Sequence, residues 1–113
     1  MFMNWNDLLG TLKRSSNLLG KPNPKLVEGY RTLAAAQGSN GALDAKTREL
    51  IAIAVAVTTR CDGCISSHVA AAIQAGATEL EVSDALGTAI ALNAGAAYVY
   101  SLRAMEAMQE LRQ

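Results

Sequence analysis

This sequence lacks an excess of either positive or negative charge. Lysine plus arginine and aspartate plus glutamate number ten each, so no long-range field draws DNA, RNA or an anionic membrane surface towards the chain. Runs of β-branched residues are also few, whereas alanine is abundant and half of all residues are apolar. Apolar positions of this kind suit closely packed helices better than a pleated sheet, so an all-α fold is expected. The longest apolar run, Leu50 to Val57, is too short to cross a bilayer. The opening stretch, MFMNWNDLLGTLKR, has neither the uninterrupted apolar core nor the small-residue cleavage site of an export signal. The two cysteines are therefore expected in a reducing, cytoplasmic compartment, where a lasting structural disulfide is uncommon and a transient redox one is the more usual kind. No repeat, low-complexity tract or linker divides the chain, and residues 1–113 read as one domain.

Helical spacing recurs along most of the chain. Trp5, Leu8, Leu9, Leu12, Leu18 and Leu19 mark a first helix from about Asn4 to Leu19, stopped by Gly20, Pro22 and Pro24. Pro24 suits the first turn of a second, amphipathic helix whose apolar face is Leu26, Val27, Tyr30, Leu33 and Ala34. Asp44 can cap a third helix running to Thr59. A buried strand competes for IAIAVAV, but charged residues lead into that run without a turn, and its alanines favour helix. Cys61 opens a turn, Cys64 to Ala75 reads as a fourth helix, and Gly76 ends it. Thr78 and Glu81 form a capping-box pattern for a fifth, with Leu80, Val82, Leu86, Ala89 and Ile90 on its inner side. A break is expected around Asn93, Ala94 and Gly95, followed by a sixth helix carrying Val99, Leu102, Met105, Met108 and Leu111. The methionines and Tyr98 and Tyr100 read as core or interface packing. The Trp5 helix and the Met-rich last helix are the expected subunit contacts.

The chemistry concentrates in one segment, Glu49 followed after eleven residues by Cys61-Asp62-Gly63-Cys64-Ile65-Ser66-Ser67-His68. A Cys-x-x-Cys pair at a helix start can close into a disulfide with little backbone movement, and the helix N-terminus stabilises a thiolate. His68 follows Cys64 by four residues, so a helix places the imidazole on the same face as that sulfur. Proton transfer between them leaves a thiolate beside an imidazolium. The geometry favours Cys64 as the thiol activated by His68 and Cys61, at the exposed turn, as the one that meets an external thiol; against this, the helix N-terminus and exposure favour a thiolate, and attack, at Cys61.

Glu49 stands further off. In an antiparallel hairpin turning near Cys61, counting 1.5 Å per residue leaves Glu49 and His68 offset by roughly 5–8 Å along the axis. A water or a bent helix would then bridge them, and the carboxylate could orient His68 and hold its proton-accepting tautomer. Plainer readings stand beside this one. Zinc would find only three ligands in Cys61, Cys64 and His68, where a closed structural site wants four. The cysteines could be inert packing, His68 a surface or satisfied core residue, and Glu49 a first-turn acid that complements the helix dipole.

From about Tyr30 to Glu106 the sequence resembles the carboxymuconolactone decarboxylase superfamily, in its alkylhydroperoxidase-D-like branch. The resemblance rests on GALDAKTRELIAIAVAV, CDGCISSH and the following AGAT, and on a Glu-x11-Cys-x2-Cys-x3-His motif met by Glu49, Cys61, Cys64 and His68. It implies an all-helical fold, trimers or hexamers, no bound metal or organic cofactor, and peroxidase or disulfide-exchange activity in which both cysteines cycle between dithiol and disulfide. The expected partners are a peroxide and an external dithiol or disulfide-reducing protein. A protein or lipoyl disulfide reductase and a non-catalytic oligomeric redox sensor are the alternatives. Some relatives carry a second histidine between the cysteines, where this chain has Gly63. The superfamily's true decarboxylases lack the cysteine pair, so lactone decarboxylation is not expected.

Overall fold

The computed structural model describes residues 2–112, and five helices account for most of them. They are α1 (Trp5–Gly20), α2 (Pro24–Ala35), α3 (Ala45–Thr59), α4 (Asp62–Gln74) and α5 (Glu79–Leu111). Local chemistry sets their starts. The Asn4 side chain caps α1 by accepting from the Asp7 N–H, Pro24 occupies the first turn of α2, and Asp44 caps α3 by accepting from the Thr47 N–H at 2.8 Å. Thr78 and Glu81 form a complete capping box on α5. Each such cap contributes about 1 kcal/mol.

Two helices were expected where α5 runs unbroken. The break foreseen at Asn93 does not occur because the Asn93 side-chain amide donates to the Ala89 carbonyl of its own helix and to Thr58 Oγ1 of α3, at 2.7 and 2.8 Å. Its polarity is satisfied without ending the helix. Gly95 costs helix stability by about 1 kcal/mol relative to alanine but imposes no turn. The inner side of α5 also differs from expectation. Ala89 is buried and Val82 and Leu86 are half-buried, whereas Leu80 and Ile90 are exposed.

Each helix touches only its neighbours in the spatial order α2, α1, α4, α3, α5. The chain therefore makes an open row of helices, with its tightest packing between α3 and α4. The buried hydrophobic residues there are Ile53, Ala56 and Ala72, joined by Ala89 from α5. Ser66, the buried polar residue, donates its hydroxyl to the Trp5 carbonyl at 2.9 Å and ties α1 to α4. α2 leans on α1 alone, and its Leu26, Tyr30 and Leu33 stay exposed.

α3 and α5 run parallel in a fixed register. Lys46 pairs with Glu81 at 2.8 Å near their N-terminal ends, and Thr58 meets Asn93 near the end of α3. Both pairs are 35 residues apart in sequence. α3 ends at Thr59, so α5 passes its neighbour from about Ala94 onward and continues to Leu111.

Candidate active site

A two-residue link joins α3 to α4. Arg60 takes the left-handed conformation, with φ at 54°, and the Cys61 N–H returns to the Ala56 carbonyl at 3.0 Å. This arrangement closes α3 as a Schellman-type cap does, at a cost on the order of 1 kcal/mol for a non-glycine residue. The next residue then stands in extended conformation as the N-cap of α4, and that residue is Cys61. Its Sγ accepts from the Cys64 N–H at 3.1 Å. The two cysteines are bonded as a disulfide, with their Cα atoms 5.2 Å apart. Cys61 is half-buried, which corrects the expectation of an exposed turn position.

His68 lies on α4 and its Nδ1 is 2.6 Å from Glu49 Oε2 on α3. No bridging group is needed. The axial offset expected from counting residues is spanned by the two side chains themselves. His68 is 33% exposed at its side chain and Glu49 22%, so the pair is shielded from bulk water on most sides. A carboxylate on Nδ1 accepts the proton there and leaves Nε2 as the basic nitrogen.

Cys64 and His68 open into one cleft of about 430 Å³. Its walls are largely apolar, with Ile51, Ala52, Val55 and Ala56 from α3 and Leu43 from the preceding loop. Arg48 stands at the rim and donates from Nη1 to the Leu43 carbonyl at 2.7 Å, which holds the loop against α3. Gly38 makes this possible: its φ of +76° is left-handed, and a Cβ there would lie 2.5 Å from the Arg48 guanidinium. Neither Arg48 nor Gly38 was singled out from the sequence. The spacing of Arg48, Ile51, Ala52, Val55, Ala56 and Thr59 is the signal that marks one face of α3, and the all-round apolar character of the helix hid it.

The position between the cysteines is occupied from above. A Cβ on Gly63 would approach Leu12 Cδ2 of α1 to 3.0 Å, so α1 roofs the place where some relatives have a histidine. Among the described residues, no group of three or more His, Cys, Asp or Glu side chains is placed to hold a metal ion.

The comparisons with known proteins bear on the family and the fold. The profile of the carboxymuconolactone decarboxylase family matches residues 24–107. An uncharacterized protein of Haemophilus influenzae is 59% identical over 95% of both chains. A protein of the cox locus of Paracoccus denitrificans is 33% identical over 89% of this chain and 94% of its own. The crystal structure of an apo carboxymuconolactone decarboxylase family protein from Legionella pneumophila superposes with a TM-score of 0.74 at 34% identity, covering 96% of this chain and 97% of that one. A protein from Methanobacterium thermoautotrophicum gives a TM-score of 0.68 at 31% identity, covering 74% of this chain and 93% of its own. The chain belongs to the carboxymuconolactone decarboxylase family.

Proposed function

We propose that this protein is a thiol-dependent peroxidase of the alkylhydroperoxidase-D-like branch of its family. The observation that carries the reading is the opening of Cys64 and His68 into one apolar cleft while Glu49 occupies Nδ1 of the imidazole. In the reduced enzyme His68 Nε2 takes the Cys64 proton. The thiolate attacks the outer oxygen of a hydroperoxide, the O–O bond breaks, and the alkoxide leaves as an alcohol with the proton held by His68. Cys64 is then a sulfenic acid. The Cys61 thiol displaces its oxygen as water and forms the disulfide.

An external dithiol restores the pair. Its thiolate attacks Cys61 Sγ, and Cys64 leaves as the thiolate that His68 stabilises. The second thiol of the donor then releases Cys61 and forms the donor's own disulfide. This cycle needs a reducing cytoplasmic setting, and the open row of helices, with so few buried residues, supports a homo-oligomer, trimeric or hexameric as the family resemblance implies.

The test is an assay of the purified protein with several peroxides and several dithiol donors, beside the Cys61→Ser/Cys64→Ser double variant. Peroxide consumption that requires both cysteines is the expected result. Disulfide reduction without peroxide consumption would assign the site to electron relay between protein or lipoyl partners instead.

A further inference from the structure

The row of helices has no second layer. A stable domain covers the apolar face of one layer with another, yet here Ile51 and Val55 of α3 and Leu92 of α5 remain about half or more exposed. Between α3 and α5 lies a second groove of about 360 Å³, lined by Ile51, Ala54, Val55, Thr58, Thr88 and Leu92 among others, and none of its lining residues is charged. Ile51 and Val55 also line the cleft that holds Cys64 and His68. They form the ridge shared by both concavities.

The chain carries an element that matches the groove. From Ala94 to Leu111 α5 passes beyond α3 and touches no other helix, a length of roughly 27 Å at 1.5 Å per residue. Tyr98, Leu102 and Met105 recur at helical spacing on this overhang and all are more than half exposed. From Ala94 to Leu102 it carries no charge, as the groove carries none. That uncharged stretch is about 13 Å long at 1.5 Å per residue, a match to the roughly 12 Å that Ile51–Thr58 span along the groove.

A membrane is the competing occupant, since α5 has the length and composition to cross one. The uncharged stretch of α5, however, runs only from Ala85 to Leu102, and its first half packs against α3. The part beyond α3 that precedes Arg103 is nine residues, and a span needs about 20.

We propose that the α5 overhang of a second copy of this chain seats in the groove between α3 and α5 and, resting on Ile51 and Val55, closes the open side of the cleft that holds Cys64 and His68. The thiol site is complete only in the assembly. The placement of the helix is independent of the peroxidase reading, and its effect on the cleft uses that site as a reporter.

The test places benzoylphenylalanine at position 102 of the full chain in solution at micromolar concentration. After irradiation, cross-linked peptides are mapped by mass spectrometry. Cross-links between chains that reach residues 51–58 or 88–93 are expected. A monomer, interchain cross-links confined to other segments, or cross-linking that requires anionic vesicles overturns the proposal, the last in favour of a membrane.

Leu102→Glu gives a second measure. It is expected at least to halve the mass in light scattering with helicity unchanged. In a reduced Cys61→Ser background it should also speed the reaction of Cys64 with a bulky maleimide several-fold more than with iodoacetamide. Equal acceleration of both reagents would show that the overhang does not wall the cleft. Should Leu102→Glu misfold, the cross-link map decides alone. Cross-links as expected from a chain that turns over no peroxide would remove the proposed function and leave this inference standing.

Discussion

Glu49 and His68 are 19 residues apart in the chain and 2.6 Å apart in space, on facing surfaces of α3 and α4. Each lies on a different side of the Arg60–Cys61 link, so the cap that ends α3 also sets the meeting of carboxylate and imidazole.

Glu49→Gln keeps the shape of this contact and removes its charge. The variant is expected to fold like the parent and to lose on the order of 10–100-fold in thiol reactivity, the usual range for a partner that orients a histidine. Alkylation rate against pH is the measurement. A profile that does not move would reject the role given to Glu49, and a loss of helicity would make that role structural.

The two cysteines are expected to respond differently to His68. In Cys61→Ser, which retains Cys64, the change His68→Gln should raise the apparent thiol pKa, because Cys64 and His68 share one cleft. In Cys64→Ser, which retains Cys61, the same change should have less effect, since the Cys61 sulfur owes its stabilisation to the start of α4. The opposite pattern in alkylation titrations would reverse the two assignments.

Acid should loosen two helix starts. Thr47 hydrogen bonds hold the Asp44 carboxyl below the usual carboxylate range, and the Lys46 ammonium, followed by Thr78, does the same for Glu81. A depressed carboxylate stabilises the fold fully above its unfolded value and loses that contribution as pH falls through its folded value. The thermal midpoint is therefore expected to be flat above about pH 5 and to decline from about pH 4 downward. Asp44→Asn keeps a capping oxygen and should remove part of the decline. Lys46 is raised by Glu81, so its contribution holds below the ordinary lysine value and is lost only as pH rises through the folded one.

Much of the fold was legible from local chemistry, and long-range placement was not. The caps at Asp44 and Thr78 and the shared face of Cys64 and His68 follow from spacing within one helix, and they stand as expected. Asn93 misled because its side chain bonds to Thr58, a residue whose nearness no local pattern reveals. The same holds for Glu49. Counting along two helix axes cannot register how far two side chains lean towards each other across the offset. Leu43 and Gln37 reach the cleft through a loop whose path depends on Gly38 and Arg48 together, so they had no periodicity to show.

Gly63→Ala should be tolerated. The nearest atoms to the new methyl are the ends of the Leu12 side chain, and Leu12 is 36% exposed with room to turn aside. Helix propensity then outweighs the contact, and a gain of about 0.5 kcal/mol is expected in denaturant titration. A loss above 1 kcal/mol would mean that α1 is held more rigidly over the cysteines than this exposure implies.

The hydrogen bond from Ser66 to the Trp5 carbonyl puts the sole tryptophan of the chain at the seam between α1 and α4, beside Ile65 and Val69. Ser66 follows Cys64 by two residues. Emission excited at wavelengths that the three tyrosines do not absorb therefore comes from a single fluorophore stationed next to the redox helix, and a change in its wavelength reports whether α1 stays docked while the cysteines exchange electrons. Stopped-flow fluorescence can follow that seam in the native chain with no added label.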